Sequence, residues 1–595
     1  MKPKAWKRAW LAALVIAILT AFMLILPYII GHMNARPGTV YTGLLVNLED
    51  GTYLSAIEQG RQGAWLYTSH FTVEAHDPVF LEGFYLMLGH AARLTGLSTT
   101  AMWHVSLFTA NLILFLTIFG FISLFLETTR QRFTAYLLAL FGAGFDWWQF
   151  PAWFERQAAF EVVPIDLRFP EAHIFYSALT FPHFVAGITV ILLALGLTLY
   201  MLILPARNNK RWLLAVGAGT ANLFLGIIYP FLIFLTAVIL SVFYLYFLWN
   251  RYQSGRDSEP ASSWRFVLDW REIGLMAVVF IIPLPLFLYY AVIFLNSPAL
   301  QSWSDQAYTP SPNPLHYLLT YGLYLVLGIL YPLKQRALFG PLTAEQQQMD
   351  RNVDAASQSA HFQLKLNFLW LWVGAAAVLL YLPLNSQRRY VEGLHVPLSI
   401  LATIGFFSVV WPWLLKTRLL TSLLKRPRYS AAGMQRLTIL ALIGTAGLAN
   451  IYLYSSTLIK LGVQQSYPLF RLQAELEAMT WLKTHVEPDE IVLAGYRTGS
   501  YLPFQAGVTV IVGNRYETGD FDRKRQEAAQ FFQPETTDQW RLNLLAQDNI
   551  HYVFVGPEER RLGGESLLTV DYLDPIYQNG EVIIYQVQEI QRLPE

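Results

Sequence analysis

Two acidic positions in a long polar stretch near the start of the chain could act as a general base. Glu49 and Asp50 are adjacent, and Asp77 follows within the same stretch, residues 31–103. A carboxylate held at a reacting atom can accept the proton of an attacking hydroxyl group. Aspartate is also favoured at helix N-termini, where it caps the helix and suits its dipole. We therefore treat all three as candidate catalytic residues, with helix capping as the alternative for Asp50 and Asp77.

A second group of ionisable residues lies in residues 146–173, DWWQFPAWFERQAAFEVVPIDLRFPEAH. Asp166, Glu171 and His173 stand there among Trp and Phe residues, and His183 follows in the next apolar segment. Aromatic residues are expected at a membrane boundary, whereas a concentration of acids and bases beside them is less expected. We predict that these four residues bind substrate. The alternative for His183 is a histidine whose polar atoms are satisfied inside the protein core.

A third stretch, residues 384–398 (LNSQRRYVEGLHVPL), contains the adjacent arginines Arg388 and Arg389. A guanidinium group can meet a phosphate through two parallel hydrogen bonds, so paired arginines suit a phosphate or pyrophosphate. The alternative is that the two side chains extend toward lipid headgroups, as arginines near a membrane boundary do.

The composition places these candidate residues in a membrane protein. The chain has 595 residues, of which 54% are hydrophobic and only 14% charged, whereas a soluble domain carries about 25% charged residues. The formal net charge of +1 offers no basic footprint for nucleic acid. The chain has no cysteine, which excludes disulfides, thiol catalysis and thiolate metal sites.

Apolar segments long enough to cross a bilayer, which needs about 20 residues per helix, recur along the chain. We predict about eleven of them in a polytopic, mainly α-helical bundle. The run over residues 212–250 is broken at Tyr229-Pro230, so it either crosses twice or forms a re-entrant hairpin. The predicted segments are 10–30, 104–126, 133–148, 174–204, 212–227, 230–250, 273–295, 315–333, 367–384, 396–415 and 437–457.

Lys and Arg residues concentrate in alternate connections between these segments, which is the positive-inside bias. The bias predicts a multi-pass membrane protein with a cytoplasmic N-terminus and an extracytoplasmic C-terminus. In this topology Arg388 and Arg389 face outward, against the bias, which favours the phosphate-binding interpretation over headgroup contact.

The middle of each predicted segment lacks Asp, Glu, Lys and Arg, and the sequence has no Walker pattern or H-E-x-x-H motif. Ion-coupled transporters retain the intramembrane charges that they use, and ATP-driven enzymes and zinc proteases need those motifs. The sequence therefore gives no support to these classes. Within residues 31–103, apolar residues at helical spacing predict two amphipathic helices along the membrane surface.

The composition becomes that of a soluble protein from about residue 461. A helix is expected at 470–486, and short β-rich runs follow at 490–494, 508–513, 551–556 and 581–587, with helical stretches between them near 521–533 and 537–548. Strands that alternate with helices indicate a small α/β layer. We therefore predict a transmembrane domain over residues 1–460 and an extracytoplasmic α/β domain over residues 461–595.

This layout resembles the GT-C superfamily of polyprenyl-phosphate-sugar-dependent membrane glycosyltransferases, in particular its less characterised bacterial members. The resemblance rests on the first helix, Glu49-Asp50 in the long first outer loop, the two amphipathic helices, the QRRYVEGLHVPL stretch and the C-terminal α/β domain. It implies that Asp50 is the catalytic base and that Arg388 and Arg389 hold the carrier phosphate.

The resemblance also implies a location in the bacterial plasma (inner) membrane, and it implies the partners. The donor would be a polyprenyl-phosphate-linked sugar, and the acceptor a glycan, a lipid or a protein, in contact with membrane lipid and without nucleic acid. Glu-Asp replaces the usual Asp-Glu or D-x-D arrangement, so no metal is assigned, although Asp50, Asp166, Glu171 and His173 could bind Mg²⁺ or Mn²⁺. The alternatives are a transporter or flippase for lipid-linked saccharides and a non-catalytic membrane assembly protein.

Overall fold

A computed structural model describes residues 3–45, 51–149, 164–256, 269–335 and 353–588 of the chain. Glu49 and Asp50 lie outside the described residues. The chain divides into two compact units, each built from several chain segments. The helical unit comprises Met1–Leu24, Leu107–Tyr290 and Thr309–Ser456, and the mixed unit comprises Ile25–Ser106, Ala291–Tyr308 and Thr457–Glu595.

Helices of seven or more residues dominate the described part of the chain. They are α1 (Pro3–Met33), α2 (Gly51–Gln62), α3 (Gly83–Thr95), α4 (Thr99–Phe125), α5 (Thr129–Phe141), α6 (Ile174–Thr180), α7 (Pro182–Ile203), α8 (Lys210–Ile228), α9 (Leu232–Arg256), α10 (Trp270–Ile281), α11 (Leu284–Asn296), α12 (Pro298–Gln306), α13 (Pro314–Gln335), α14 (Val353–Leu379), α15 (His395–Gly405), α16 (Arg418–Leu424), α17 (Ala431–Ala446), α18 (Leu448–Ile459), α19 (Gln473–His485), α20 (Phe521–Phe531) and α21 (Asp538–Gln547).

The strands are fewer and shorter. They are β1 (Thr39–Tyr41), β2 (Phe470–Leu472), β3 (Ile491–Leu493), β4 (Thr509–Val510), β5 (Ile550–Val555), β6 (Leu573–Asn579) and β7 (Val582–Val587).

Among the described residues, eight helices are long and apolar enough to cross a membrane. Two bent pairs raise the number to ten when each pair counts as one span: α10 with α11, at 42°, and α17 with the helix that continues from α18, at 53°. The prediction of a multi-pass helical bundle with a small C-terminal sheet domain is confirmed. The eight helical spans are Lys4–Met33, Thr99–Phe125, Pro182–Ile203, Lys210–Ile228, Leu232–Gln253, Pro314–Gln335, Ala360–Leu379 and Gln387–Leu414.

The predicted segment at 133–148 does not form a full span. Its helix α5 has 13 residues, which gives a length of roughly 20 Å against a hydrocarbon core of roughly 30 Å. The chain leaves the helix at two glycines that lie directly against α13. A Cβ atom on Gly142 would lie 2.1 Å from Tyr324 Oη, and one on Gly144 would lie 2.2 Å from the Thr320 carbonyl oxygen. The run over 212–250 forms two separate helices, each long enough to cross.

Close packing of α13 against α15 sets the frame of the helical unit. A Cβ atom on Gly405 would lie 1.7 Å from the Leu327 carbonyl oxygen, and one on Gly328 would lie 3.1 Å from Leu401 Cβ. Backbones can approach this closely between membrane helices only where small residues stand at the contact. The contact holds the side chains of α13 beside the start of α15.

The mixed unit contains a five-stranded sheet in the order β4-β3-β5-β7-β6. Strands β4, β3 and β5 are parallel, and β7 and β6 continue the sheet antiparallel. Helices α20 and α21 cover it through Phe531, Phe532 and Leu545, which are all buried. The predicted strands and helices of this layer are present, except that residues 470–472, predicted as the start of a helix, form strand β2 and the helix begins at Gln473. Strand β6 was not expected, because its LDPIYQN sequence contains a proline, which sheets tolerate at an edge.

The two amphipathic helices of the first loop are α2 and α3, and they pack against each other. A Cβ atom on Gly60 would lie 2.2 Å from the Leu86 carbonyl oxygen, and one on Gly89 would lie 2.2 Å from that of Ile57. The apolar residues Leu54, Ile57 and Leu86 are buried in protein. The apolar faces that predicted a position on the membrane surface therefore serve the packing of this unit.

We predict that Gly405→Ala destabilises the helical unit. The added methyl group would overlap a backbone oxygen of α13, so α13 and α15 must separate, and overpacking of this kind costs about 1–3 kcal/mol. Thermal unfolding of the purified protein in detergent measures the effect. The control is Gly374→Ala on α14, where a Cβ atom meets no other atom within 4 Å. An equal change in both variants would contradict the proposed contact.

Candidate active site

Asp166 is the centre of a buried polar cluster in the helical unit, and it is fully buried. Its Oδ1 atom lies 3.0 Å from His173 Nε2 and accepts a hydrogen bond from Thr320 Oγ1 at 2.9 Å. Its Oδ2 atom accepts a hydrogen bond from the Asp146 backbone N–H at 3.0 Å. The Oδ2 atom of Asp146 in turn accepts a hydrogen bond from the backbone N–H of Ile165 at 2.5 Å. The carboxylate thus joins three segments of the unit through its two oxygens.

The His173 ring extends this cluster toward α15. It lies edge-to-face with the ring of His395, with centroids 4.8 Å apart. The His395 ring also meets Tyr324 edge-to-face at 5.0 Å. Both ring nitrogens of His395, and Nδ1 of His173, are buried and have no hydrogen-bond partner among the described residues. These nitrogens could exchange protons or bind hydroxyl groups. The sequence analysis did not identify His395, which stands in an apolar run.

Glu171 holds the two predicted phosphate-binding arginines together. Its Oε1 atom lies 3.0 Å from Arg388 Nε and 3.8 Å from Arg389 Nη1. The Glu171 side chain is 1% exposed, and those of Arg388 and Arg389 are 22% and 20% exposed. The guanidinium of Arg388 also stacks on the Phe169 ring at 4.4 Å. The predicted residues Glu171, Arg388 and Arg389 therefore form one group.

The Arg388 guanidinium keeps unused donor capacity. Its distance to Glu171 is that of an ion pair, but within the described parts of the chain its side chain donates no hydrogen bond, and Nε is buried. Arg168 carries a third guanidinium group, and burial and the charge of Arg388 lower its pKa. A group of cations with one buried carboxylate between them is suited to an anion.

His183 and Glu392 are two further buried ionisable residues of the helical unit. His183 is buried, with its ring edge-to-face with Tyr229 at 5.1 Å. Gly187, one turn along α7, lies against Glu392, since a Cβ atom there would be 2.6 Å from Glu392 Oε1. Glu392 is fully buried, and its carboxylate oxygens find no hydrogen-bond donor in the described ranges. Glu392 was not among the predicted site residues, although it stands three residues after Arg389 in the same stretch.

The described acids of this cluster do not fit a divalent metal. The Asp166 oxygens already face His173, Thr320 and the Asp146 N–H, and Glu171 faces Arg388 and Arg389. No group of three acidic or histidine side chains within the described ranges could hold a metal ion. The predicted set of Asp166, Glu171 and His173 therefore does not converge on one ion, and its fourth member, Asp50, lies outside the described residues.

Asp77 is exposed and belongs to the mixed unit. It does not cap a helix, because α3 begins at Gly83 and its N-cap residue is Glu82, which has a φ of 52°. The capping alternative for Asp77 is therefore wrong. Helix α2 begins at Gly51, directly after Asp50, and a Cβ atom on Gly51 would lie 1.9 Å from the Ser500 carbonyl oxygen. The first turn of α2 is thus held against the C-terminal part of the same unit.

A second pair of acids, which the sequence analysis did not single out, lies in this unit. Glu517 Oε2 accepts hydrogen bonds from Tyr67 Oη at 2.9 Å and from Ser69 Oγ. Burial raises the pKa of Glu517 to about 7. Burial and the charge of Glu517 raise the pKa of Glu82 to about 8. Two carboxyl groups of the mixed unit therefore titrate near neutral pH.

Several solved structures are similar to the chain, among them the three that follow. The oligosaccharyltransferase of Archaeoglobus fulgidus, tethered with an acceptor peptide, matches with a TM-score of 0.52 and 15% identity, over 98% of this chain and 74% of that one. Its complex with an inhibitory peptide and a dolichol-phosphate matches with a TM-score of 0.50 and 14% identity, over 98% and 75%. The arabinofuranosyltransferase AftD from mycobacteria matches with a TM-score of 0.55 and 12% identity, over 98% and 40%.

The chain has the GT-C fold. The similar structures are GT-C glycosyltransferases, and 98% of this chain is covered in each match. At these identities the likeness is one of fold. No protein-family model matches the sequence, and no curated protein matches it. The predicted fold is therefore confirmed.

We predict that Asp166→Asn lowers the stability of the GT-C helical unit. The amide replaces one acceptor oxygen with a donor, so a buried N–H or hydroxyl loses its partner, at a cost of about 1–3 kcal/mol. Chemical denaturation in detergent micelles measures the free energy of unfolding. Asp77→Asn is the control, because an exposed substitution of this kind stays within about 0.5 kcal/mol of the wild type. Equal stability of the two variants would show that Asp166 does not organise the cluster.

We predict a pH-dependent stability difference between the wild type and Glu517→Gln. Between pH 4.5, the ordinary pKa, and about 7, the unfolded chain has released this proton while the folded chain keeps it. The contribution of Glu517 to stability is therefore fullest below pH 4.5 and falls as pH rises through 7. The melting temperature of the variant, relative to that of the wild type, should increase from pH 4 to pH 8. Glu535→Gln, at an exposed position, should show no such trend, and a parallel pair of curves for Glu517→Gln would refute the prediction.

Proposed function

We propose that the chain is an integral membrane glycosyltransferase that moves a sugar from a polyprenyl-phosphate carrier to an extracytoplasmic acceptor. The observation that carries the proposal is the unused donor capacity of Arg388 beside Arg389. The GT-C fold supports it, since one similar structure was solved with a dolichol-phosphate and another with an acceptor peptide. The acceptor of this chain would be a glycan, a lipid or a protein.

The reaction is a single displacement at the anomeric carbon of the donor. The acceptor oxygen forms a bond to that carbon, and the bond from the carbon to the carrier phosphate breaks. Asp50 accepts the proton of the acceptor hydroxyl group. The polyprenyl phosphate leaves with the bonding electron pair, and Arg388 and Arg389 stabilise its negative charge.

The buried carboxylate of Glu171 has a positioning role in this proposal. It keeps two guanidinium groups at one place, where their mutual repulsion would otherwise separate them. It also leaves the group of arginines with a net positive charge, which a phosphate needs. Asp166 and His173, which are paired at 3.0 Å, flank Glu171 in the sequence and hold that stretch of chain in place. We assign His183 to substrate contact because it lies one helical turn from Gly187, which packs against Glu392.

We predict that Asp50→Asn and Arg388→Ala separate the two roles. Asp50→Asn should lower sugar transfer at least about 100-fold, because a general base contributes about 10²–10⁴-fold to rate, and should leave binding of undecaprenyl phosphate unchanged. Arg388→Ala should weaken that binding about tenfold or more through the loss of charge-assisted hydrogen bonds. Binding is measured by fluorescence in detergent, and transfer by loss of radiolabelled sugar from the lipid fraction of membranes.

The control is Arg428→Ala, which removes an exposed arginine of the same unit and should change neither measurement. Full transfer activity of Asp50→Asn would refute the assignment of the base. Movement of a fluorescent lipid-linked saccharide across liposomes without covalent change would favour the flippase alternative. Activity that needs no lipid-linked sugar at all would favour an assembly protein.

A further inference from the structure

A cavity of about 540 Å³ that is lined by charged and apolar residues opens in the mixed unit, in a place that the proposed function does not use. Its size is that of sites for small molecules, which range over about 300–1,000 Å³. Three arginines line it, together with Tyr467 and Phe470 and with two carboxylates, those of Glu565 and Glu581. The formal charge of the lining is therefore net positive. The arginines are Arg36, Arg560 and Arg561.

The walls of the cavity are fixed by hydrogen bonds. Strand β1 pairs antiparallel with β2, with Thr39 opposite Leu472. The Gln465 side chain accepts the Arg36 backbone N–H at 3.1 Å and donates to the Asn34 carbonyl oxygen at 2.6 Å. On the other side, the helical turn Pro557–Leu562 begins at a cap in which Glu559 accepts the Gly556 N–H at 2.9 Å. A site with such walls needs little reorganisation to bind a ligand.

Two of the three guanidinium groups have no carboxylate partner in the described ranges. Arg560 is engaged, with Nη1 3.2 Å from Glu565 Oε1 and Nε donating to the Glu581 carbonyl oxygen at 2.5 Å. Arg36 donates from Nη2 to the Val463 carbonyl oxygen at 3.0 Å, and Arg561 stacks on the Tyr467 ring at 5.4 Å. Arg36 and Arg561 therefore keep donors for an anion. The planar guanidinium group suits a phosphate in particular.

The chain position of the lining residues places the cavity where apolar helices end. Arg36 follows the end of α1 at Met33, and Gln465 follows the end of the last apolar helix at Gln464. The first of these helices is long and apolar enough to cross a bilayer, and Leu448–Gln464 is so together with Ala431–Ala446, to which it is bent by 53°. We therefore expect the residues just after them at the level of lipid headgroups. A ligand in this cavity therefore meets the polar surface of a membrane leaflet.

We propose that this cavity binds the phosphate-bearing headgroup of an anionic lipid, through the guanidinium groups of Arg36 and Arg561. Arg560, held by Glu565, adds a fixed positive charge at the wall. The site is separate in sequence and in lining from the arginine pair of the helical unit. The group that it would recognise is a phosphate. A membrane phospholipid carries this group within the bilayer surface, and a soluble phosphate compound carries it in the aqueous phase.

The test is binding of dioctanoyl phosphatidylglycerol to the purified full-length protein in detergent, measured by native mass spectrometry. Arg36→Ala and Arg561→Ala should each weaken binding about tenfold, since each removes a charge-assisted contact to phosphate. Arg515→Ala is the matched control, because it removes an exposed arginine of the same unit outside the cavity lining. Melting temperatures of the variants equal to that of the wild type show that they are folded.

Two further measurements distinguish a lipid headgroup from a soluble phosphate as the ligand. Competition by millimolar inorganic phosphate indicates a site that recognises the phosphate alone, whereas resistance to it indicates recognition of the lipid headgroup with its glycerol. Dioctanoylglycerol, which lacks the phosphate, should not bind. Equal binding of phosphatidylglycerol to wild type, Arg36→Ala and Arg561→Ala, or tight binding of dioctanoylglycerol, would overturn the proposal. Undecaprenyl phosphate binding that depends on Arg388 should remain in both variants, so this test does not depend on the proposed function.

Discussion

A carboxylate enclosed by protein must be given hydrogen-bond donors, because water no longer solvates its charge. Asp166 meets this constraint through a histidine, a threonine of α13 and a backbone N–H at Asp146. Each donor belongs to a different stretch of chain, so the carboxylate fixes the connection after α5 and the start of α6 to α13. The glycines at 142 and 144, which bring that connection against α13, make this approach possible. The remainder of the site is arranged around these fixed segments.

The charges of the helical unit are ordered by depth. Asp166 and His173 are fully enclosed, whereas Arg388 and Arg389 keep about a fifth of their side-chain surface exposed, and Glu171 lies between them as a buried counter-charge. A buried ion pair often contributes little net stability, because desolvation opposes the Coulomb attraction. Here the ion pair acts by fixing geometry, since the single carboxylate of Glu171 orients two guanidinium groups. The electrostatic preference for an anion is thus built in before any ligand arrives.

Much of the fold follows from the sequence, because long apolar runs and short β-rich runs have few structural solutions. The same reasoning found Glu171, Arg388 and Arg389, since charges at a membrane boundary stand out against apolar neighbours. It could not show that Glu171 faces the arginines, because that contact depends on how distant helices pack. It missed His395 and Glu392, which are buried in the packed start of α15. It also overcounted the spans at α5, where two glycines permit a close contact that no local pattern reveals.

The mixed unit draws on three separated chain segments, and its small antiparallel ribbon joins Thr39 to Leu472. This order has a consequence for biosynthesis. Strand β1 leaves the ribosome long before β2, with nearly all of the apolar helices still to be made, and contacts of such sequence separation form slowly. The edge of β1 and the packed face of the first loop stay without their native partners until those helices have been inserted. Assembly of this unit is therefore a late event in the life of each new chain.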